Sequence, residues 1–181
     1  IEFFNKAIEG DPDYGWAYIR KAQAYMQLED PDAMEQAVKE ATAIGKKSGE
    51  DGVVNTAQQI AYKYFYNNGA TSLKNKNYAE AIPNLEKALE YGGSPTLNHY
   101  LGVCYSQESQ FENAVEREKR AIEALKGDAS QEDLAQYYYT LGTYYEQLGQ
   151  TANACDAYKN ATFGKYKENA EYKINHTLNC D

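Results

Sequence analysis

One helical pattern recurs along this chain, and that repetition constrains the fold more than any other feature. Residues 78–93, YAEAIPNLEKALEYGG, and residues 111–127, FENAVEREKRAIEALKG, each begin on an aromatic residue. Each places Ala three residues on and a second Ala seven after that. Ala81 matches Ala114 and Ala88 matches Ala121, an offset of 114 − 81 = 33. Twelve residues before each first Ala stands a glycine, Gly69 or Gly102. A third copy has Gly142 twelve before Ala154, then Ala161; a fourth has Ala22 twelve before Met34, then Ala41. The opening FFNKAIEGDP fits as the tail of a fifth, with Ala7 in the last alanine slot. The spacing predicts pairs of antiparallel helices whose backbones approach at these small residues. Tyr25, Tyr105, Tyr145, Leu85 and Tyr158 fill the space between them. One such pair cannot bury its apolar face alone, so neighbours must stack.

Helix punctuation follows the same rhythm. Asp30-Pro31 reads as an N-cap followed by proline at the first helical position. Gly45, Gly92, Gly127 and Gly149 stand where helices should stop. Pro83 lies inside its helix, where it removes a backbone hydrogen bond and predicts a kink. The copies are unevenly spaced: Ala22 to Gly69 is 69 − 22 = 47, and Gly102 to Gly142 is 142 − 102 = 40. The excess falls in GKKSGEDGVVNTAQ, read as a loop and a lengthened next helix, and near KGDASQED. The expected organisation is a single array over 1–181. It runs as a repeat tail (1–12), a repeat (13–46), an insertion with helix extension (47–61), repeats at 62–94 and 95–127, an insertion (128–134), a repeat (135–165) and a capping helix (166–181). In the cap, Tyr172, Ile174 and Leu178 are the expected apolar contacts.

The pattern resembles the tetratricopeptide repeat, a helix–turn–helix unit with W-x2-L-G-x2-Y, then A-x3-F, then P. Leu101, Gly102 and Tyr105 carry the first-helix resemblance, as do Tyr138, Leu141, Gly142 and Tyr145; Ala154 with Tyr158 carries the second-helix one. Glu118 departs from it in a usually aromatic slot, Ser72 in a usual Tyr slot, and Lys21 and Asn68 in usual Leu slots. The resemblance implies an all-α right-handed solenoid of about ten helices, no strands and a C-terminal capping helix. It implies a concave groove lined by the first helices, in which a peptide or helical segment of a partner protein is held. Carried over copy by copy, the lining is Trp16, Ile19, Arg20, Gln23 and Gln27; then Lys63, Tyr66, Asn67 and Lys74; then His99, Tyr100, Val103 and Gln107; then Gln136, Tyr139, Thr143 and Gln147. The Lys/Asn clamp that some relatives use for C-terminal carboxylates is absent, since its slots hold Ile19, Gln23, Tyr66, Ala70, His99 and Val103. The expected groove is therefore aromatic and neutral-polar, built from amphipathic rings suited to protein contacts.

Composition excludes several other functions. Net charge is −9, from 27 acidic and 18 basic residues, of which three are Arg: Arg20, Arg117 and Arg120. That balance is the wrong sign for tracking phosphates, so a nucleic-acid partner is not expected. No apolar run approaches the roughly 18 residues that membrane insertion needs. His99 and His176 lie on different helices, and no hydrolase, metalloprotease or phosphate-loop motif is present. No catalytic residue, metal site or cofactor is assigned, and the chain reads as a non-enzyme. Two readings of Cys104, Cys155 and Cys180 stand: three idle thiols, or a Cys155–Cys180 disulfide pinning the cap, which would suit an oxidising compartment. The chain opens on Ile1 as if a helix were ending, which predicts that part of the natural protein precedes it. Phe3, Phe4 and Ile8 then form an apolar edge suited to self-association. The alternative to a free-standing scaffold is a regulatory or structural portion of a larger bacterial enzyme, sensor or cell-envelope assembly.

Overall fold

Asp30 accepts a hydrogen bond from the Ala33 backbone N–H at 3.1 Å, and Pro31 opens the helix behind it. Ser94 does the same for Leu97 ahead of Pro95, and Ser130 with Asp133 forms a reciprocal capping box. The computed structural model describes residues 1–180; Asp181, the last residue of the expected cap, lies outside the described residues. Among the described residues there are ten α-helices and no strand. They are α1 (Glu2–Gly10), α2 (Gly15–Gln27), α3 (Pro31–Ser48), α4 (Asp51–Lys74), α5 (Tyr78–Tyr91), α6 (Pro95–Gln107), α7 (Phe111–Leu125), α8 (Gln131–Gln147), α9 (Thr151–Asn160) and α10 (Lys167–Tyr172). A 3-10 turn (Gly164–Tyr166) precedes α10 and a π turn (Lys173–Thr177) follows it.

The helices fall into two compact units. The first comprises Ile1–Asn68 with Lys87–Gly92, and the second Gly69–Glu86 with the chain from Gly93 on. In the first unit α1 packs on α2 and α2 on α3, burying Ala17, Ile19, Ala22, Met34, Val38 and Ala41. Glu35 is buried there too. It accepts hydrogen bonds from Lys87 and from Tyr91 (3.0 Å), and its other ion-pair partner, Lys39, stands at 2.9 Å. Tyr91 stacks on Phe65 at 6.1 Å, and Lys87 lies over the same ring.

In the second unit α6 packs on α7, α7 on α8 and α8 on α9. The repeated glycines show why they must be glycines. A Cβ on Gly69 would lie 2.6 Å from the Leu85 side chain, and one on Gly142 would lie 2.7 Å from the Tyr158 ring. One on Gly102 would lie 3.1 Å from a Glu118 carboxylate oxygen. Leu85, Glu118 and Tyr158 are all fully buried, each four residues after the small-residue slot of its second helix. In the first copy Ala22 replaces the glycine, and the corresponding second-helix residue is the smaller Val38. Cys104, on α6, is free and fully buried.

Three local expectations are corrected, and the helix around Pro83 is continuous. Gly45 does not end its helix: it is buried inside α3, where a Cβ would meet Val54 at 2.9 Å and the Glu50 carbonyl at 3.2 Å. The stop is Gly49, in the left-handed region at φ 73°, so GKKSGEDG is mostly helix. Ile19 is buried, so it belongs to the α2 interface and not to a groove. Tyr172 is exposed, and Ala170 takes the buried position of the cap. α5 runs unbroken through Pro83 from Tyr78 to Tyr91.

The turn inside each helix pair also repeats. Glu29, Lys76, Ser109 and Gly149 all have positive φ, at 55°, 62°, 58° and 67°. They follow the same 47, 33 and 40 spacing as the small-residue slots. Three of the four are not glycine, so the turn geometry is imposed by the packed helices on either side.

Candidate partner-binding site

The expected groove residues are described unit by unit. In the first unit Trp16 is 39% exposed at the start of α2. Arg20, Lys63 and Asn67 are exposed, and Gln23 and Tyr66 are half-buried. The Arg20 guanidinium donates to the Gln23 side-chain oxygen at 2.9 Å, and Tyr66 stacks on Tyr62 at 5.6 Å.

The second unit gathers more of the expected residues. On α6, His99, Tyr100 and Val103 are half-buried and Gln107 is exposed; on α8, Gln136, Tyr139 and Thr143 are half-buried and Gln147 is exposed. The His99 ring meets Tyr137 edge-on at 5.2 Å and Tyr100 at 6.4 Å. Tyr139 packs on Tyr158 at 5.3 Å and on Tyr166 of the cap at 5.5 Å. Tyr137 and Tyr166, which sequence reasoning did not single out, join the cluster through these ring contacts. With Gln136, Leu125, Glu132, Asp133 and Lys165 they also line a surface recess of about 440 Å³.

Apart from Lys165 of the recess, the charge of this face is one-sided. α6 carries no Asp, Glu, Lys or Arg, and α8 carries Glu132, Asp133 and Glu146 with no Lys or Arg. Beneath the rings, His99 Nδ1 lies 2.9 Å from both carboxylate oxygens of Glu118. Burial pushes the Glu118 carboxyl up, and the hydrogen bond from His99 opposes that. Burial, with Glu118 nearby, also pushes the Tyr137 and Tyr144 hydroxyls up, so both rings stay neutral hydrogen-bonding groups.

The cap is fastened to the same unit. Cys155 on α9 and Cys180 are joined as a disulfide, their Cα atoms 5.8 Å apart. Lys173 donates to both Glu146 oxygens at 2.8 and 3.0 Å, and the buried Tyr158 hydroxyl donates to the same carboxylate. Among the described residues no group of three or more His, Cys, Asp or Glu could hold a metal ion, and no helix is long and apolar enough to cross a membrane.

The tetratricopeptide-repeat family model matches residues 17–44 and 135–162. Those two stretches match tetratricopeptide repeats. Solved tetratricopeptide structures carry the same fold. One is the C-terminal part of a tetratricopeptide protein from Cytophaga hutchinsonii, at 19% identity and TM-score 0.54, covering 99% of this chain and 83% of that one. Another is PilW, described as a widely conserved type IV pilus biogenesis factor, at 20% identity and TM-score 0.53, covering 97% and 76%. A third is from the Cut9–Hcn1 hetero-tetramer of APC/C, at 15% identity and TM-score 0.54. The match covers 94% of this chain but spans 38% of the length of that one. No curated protein sequence matches the chain. The described residues share the all-α fold of these tetratricopeptide structures.

Proposed function

We propose that this chain is a non-catalytic interaction module that holds a peptide or helical segment of a partner protein against its first-helix faces. The observation that carries the reading is the α6 and α8 face, where half-buried His99, Tyr100, Tyr137 and Tyr139 are flanked by Gln107, Gln136 and Gln147. Rings held in place by neighbouring rings lose little entropy on binding, and their polar tips supply direction. The Gln side chains offer both donors and acceptors to a peptide backbone. On the first unit, the exposed Trp16 and the stacked Tyr66 are separate candidate contacts.

Site-specific photocrosslinking tests this. A benzophenone amino acid is placed singly at Gln107, Gln136 or Gln147, and as controls at the exposed α7 positions Glu116 or Lys119. The expected result is one partner segment joined at the first-helix positions and absent from the α7 positions. Tyr100→Ala should weaken binding of that segment by about tenfold, the cost of losing one well-packed aromatic contact. Crosslinks confined to α7 would overturn the reading.

A further inference from the structure

The slot filled by Glu118 is apolar or aromatic in the other copies: Val38, Leu85 and Tyr158 hold it, each fully buried. The fold therefore does not need a carboxylate there. A buried carboxylate is costly unless it is paired, and replacing such pairs by apolar residues often stabilises a protein. Glu118 is 0% exposed, and both its oxygens meet Nδ1 of the His99 ring. Gly102 leaves room for one of these oxygens, 3.1 Å from where a Cβ would stand.

We infer that Glu118 is a positioning residue for His99. Its carboxylate accepts the Nδ1–H and so leaves Nε2 as a fixed hydrogen-bond acceptor for an N–H of the bound segment. This rests on the binding face proposed above.

An imidazole carries its two nitrogens on opposite sides of the ring, and the hydrogen bond at one decides the chemistry of the other. With Nδ1 committed to Glu118, Nε2 points away from the carboxylate. The hydrogen bonds of the ring run from Nδ1, and the His99 side chain keeps 14% of its surface exposed. The rings that meet it are Tyr100 on α6 and Tyr137 on α8. Neither is a cation. α6 and α8 carry no Lys or Arg, and the cation of the neighbouring recess is Lys165 of the cap, so the helices themselves suit a neutral or basic segment that presents N–H groups.

The test is long-range 15N spectroscopy of the imidazole rings in the 181-residue chain, with exposed His176 as the internal reference. The expected result is a neutral His99 with its proton on Nδ1. Glu118→Gln, whose amide oxygen still accepts, should keep that tautomer. Glu118→Leu, which copies the Leu85 slot, should lose it, and circular dichroism checks its fold. An Nε2-protonated or doubly protonated His99 in the parent, where His176 reads neutral, would overturn the inference. So would an unchanged tautomer in Glu118→Leu. If Glu118→Leu does not fold, the parent and Glu118→Gln spectra decide. For the segment crosslinked at Gln136, affinity should fall about tenfold in Glu118→Leu and little in Glu118→Gln. Equal affinities would overturn the partner contact. The absence of any segment crosslinked on this face would overturn the binding reading and that contact, while the spectra still decide what Glu118 does.

Discussion

The Glu35 cluster makes the stability of the first unit depend on acid in a calculable way. Burial pushes the Glu35 carboxyl up, but hydrogen bonds from Lys87, Lys39 and Tyr91 outweigh it and bring the carboxyl from 4.5 down to about 2. A carboxyl depressed by folding stabilises the native state above its unfolded value. That contribution is lost as pH falls through the folded one, here between about pH 4.5 and pH 2. A drop of about 2.5 units corresponds to roughly 3.4 kcal/mol at 1.36 kcal/mol per unit. The Lys39 and Lys87 side chains are 62% and 41% exposed, so solvent screens them, and about 2 kcal/mol is the working figure. Glu35→Gln keeps the shape and removes the charge. Urea unfolding followed by circular dichroism should show the variant about 2 kcal/mol less stable near neutral pH, with the gap closing to under about 1 kcal/mol near pH 2. A gap that stays constant across that window would refute the reasoning, because it would locate the cost in packing and not in the charge.

Three further outcomes are expected. Gly142→Ala should cost about 1–3 kcal/mol of stability in the same assay, because its Cβ collides with the buried Tyr158 ring. Ser109→Gly should gain roughly 1 kcal/mol by relieving a φ of 58°, and Gly149→Ala should lose a similar amount, both read as shifts in melting temperature. Protein kept from reductant should titrate as having no more than one thiol, and reducing the bond across 25 residues should cost about 3 kcal/mol and speed proteolysis of the segment after Ala161; three titratable thiols would sink this.

The helix pairs were legible because their information is linear. Gly69, Gly102 and Gly142 meet large residues that stand at a fixed distance along the chain, so the spacing alone reveals the contact. The intra-pair turns were not legible as left-handed, because Glu29, Lys76 and Ser109 carry no local signal for positive φ. Gly45 misled because glycine serves two purposes, a helix stop and a close approach, and the sequence does not say which. Ile19 was placed in the groove by analogy with larger residues in the same register, but a side chain of its size ends within the α2 interface. Glu118 and His99 were each noticed separately, one as a departure and one as a lining residue. Their pairing depends on two helices facing each other, which neither position shows.

The buried thiol on α6 gives this protein a stopwatch of its own. Burial first, and Glu108 second, push the Cys104 thiol up to about 11, so near neutral pH it is almost all unreactive thiol. Cys104 is fully buried, so a thiol reagent can reach it only while α6 parts from the helices packed on it. In the regime where the helices reclose faster than the reagent attacks, the labelling rate divided by that of a free cysteine gives the fraction of time the pair is open. The same rate, followed while a candidate partner is added, would report how firmly that partner holds the helices shut, with no label needed on the partner.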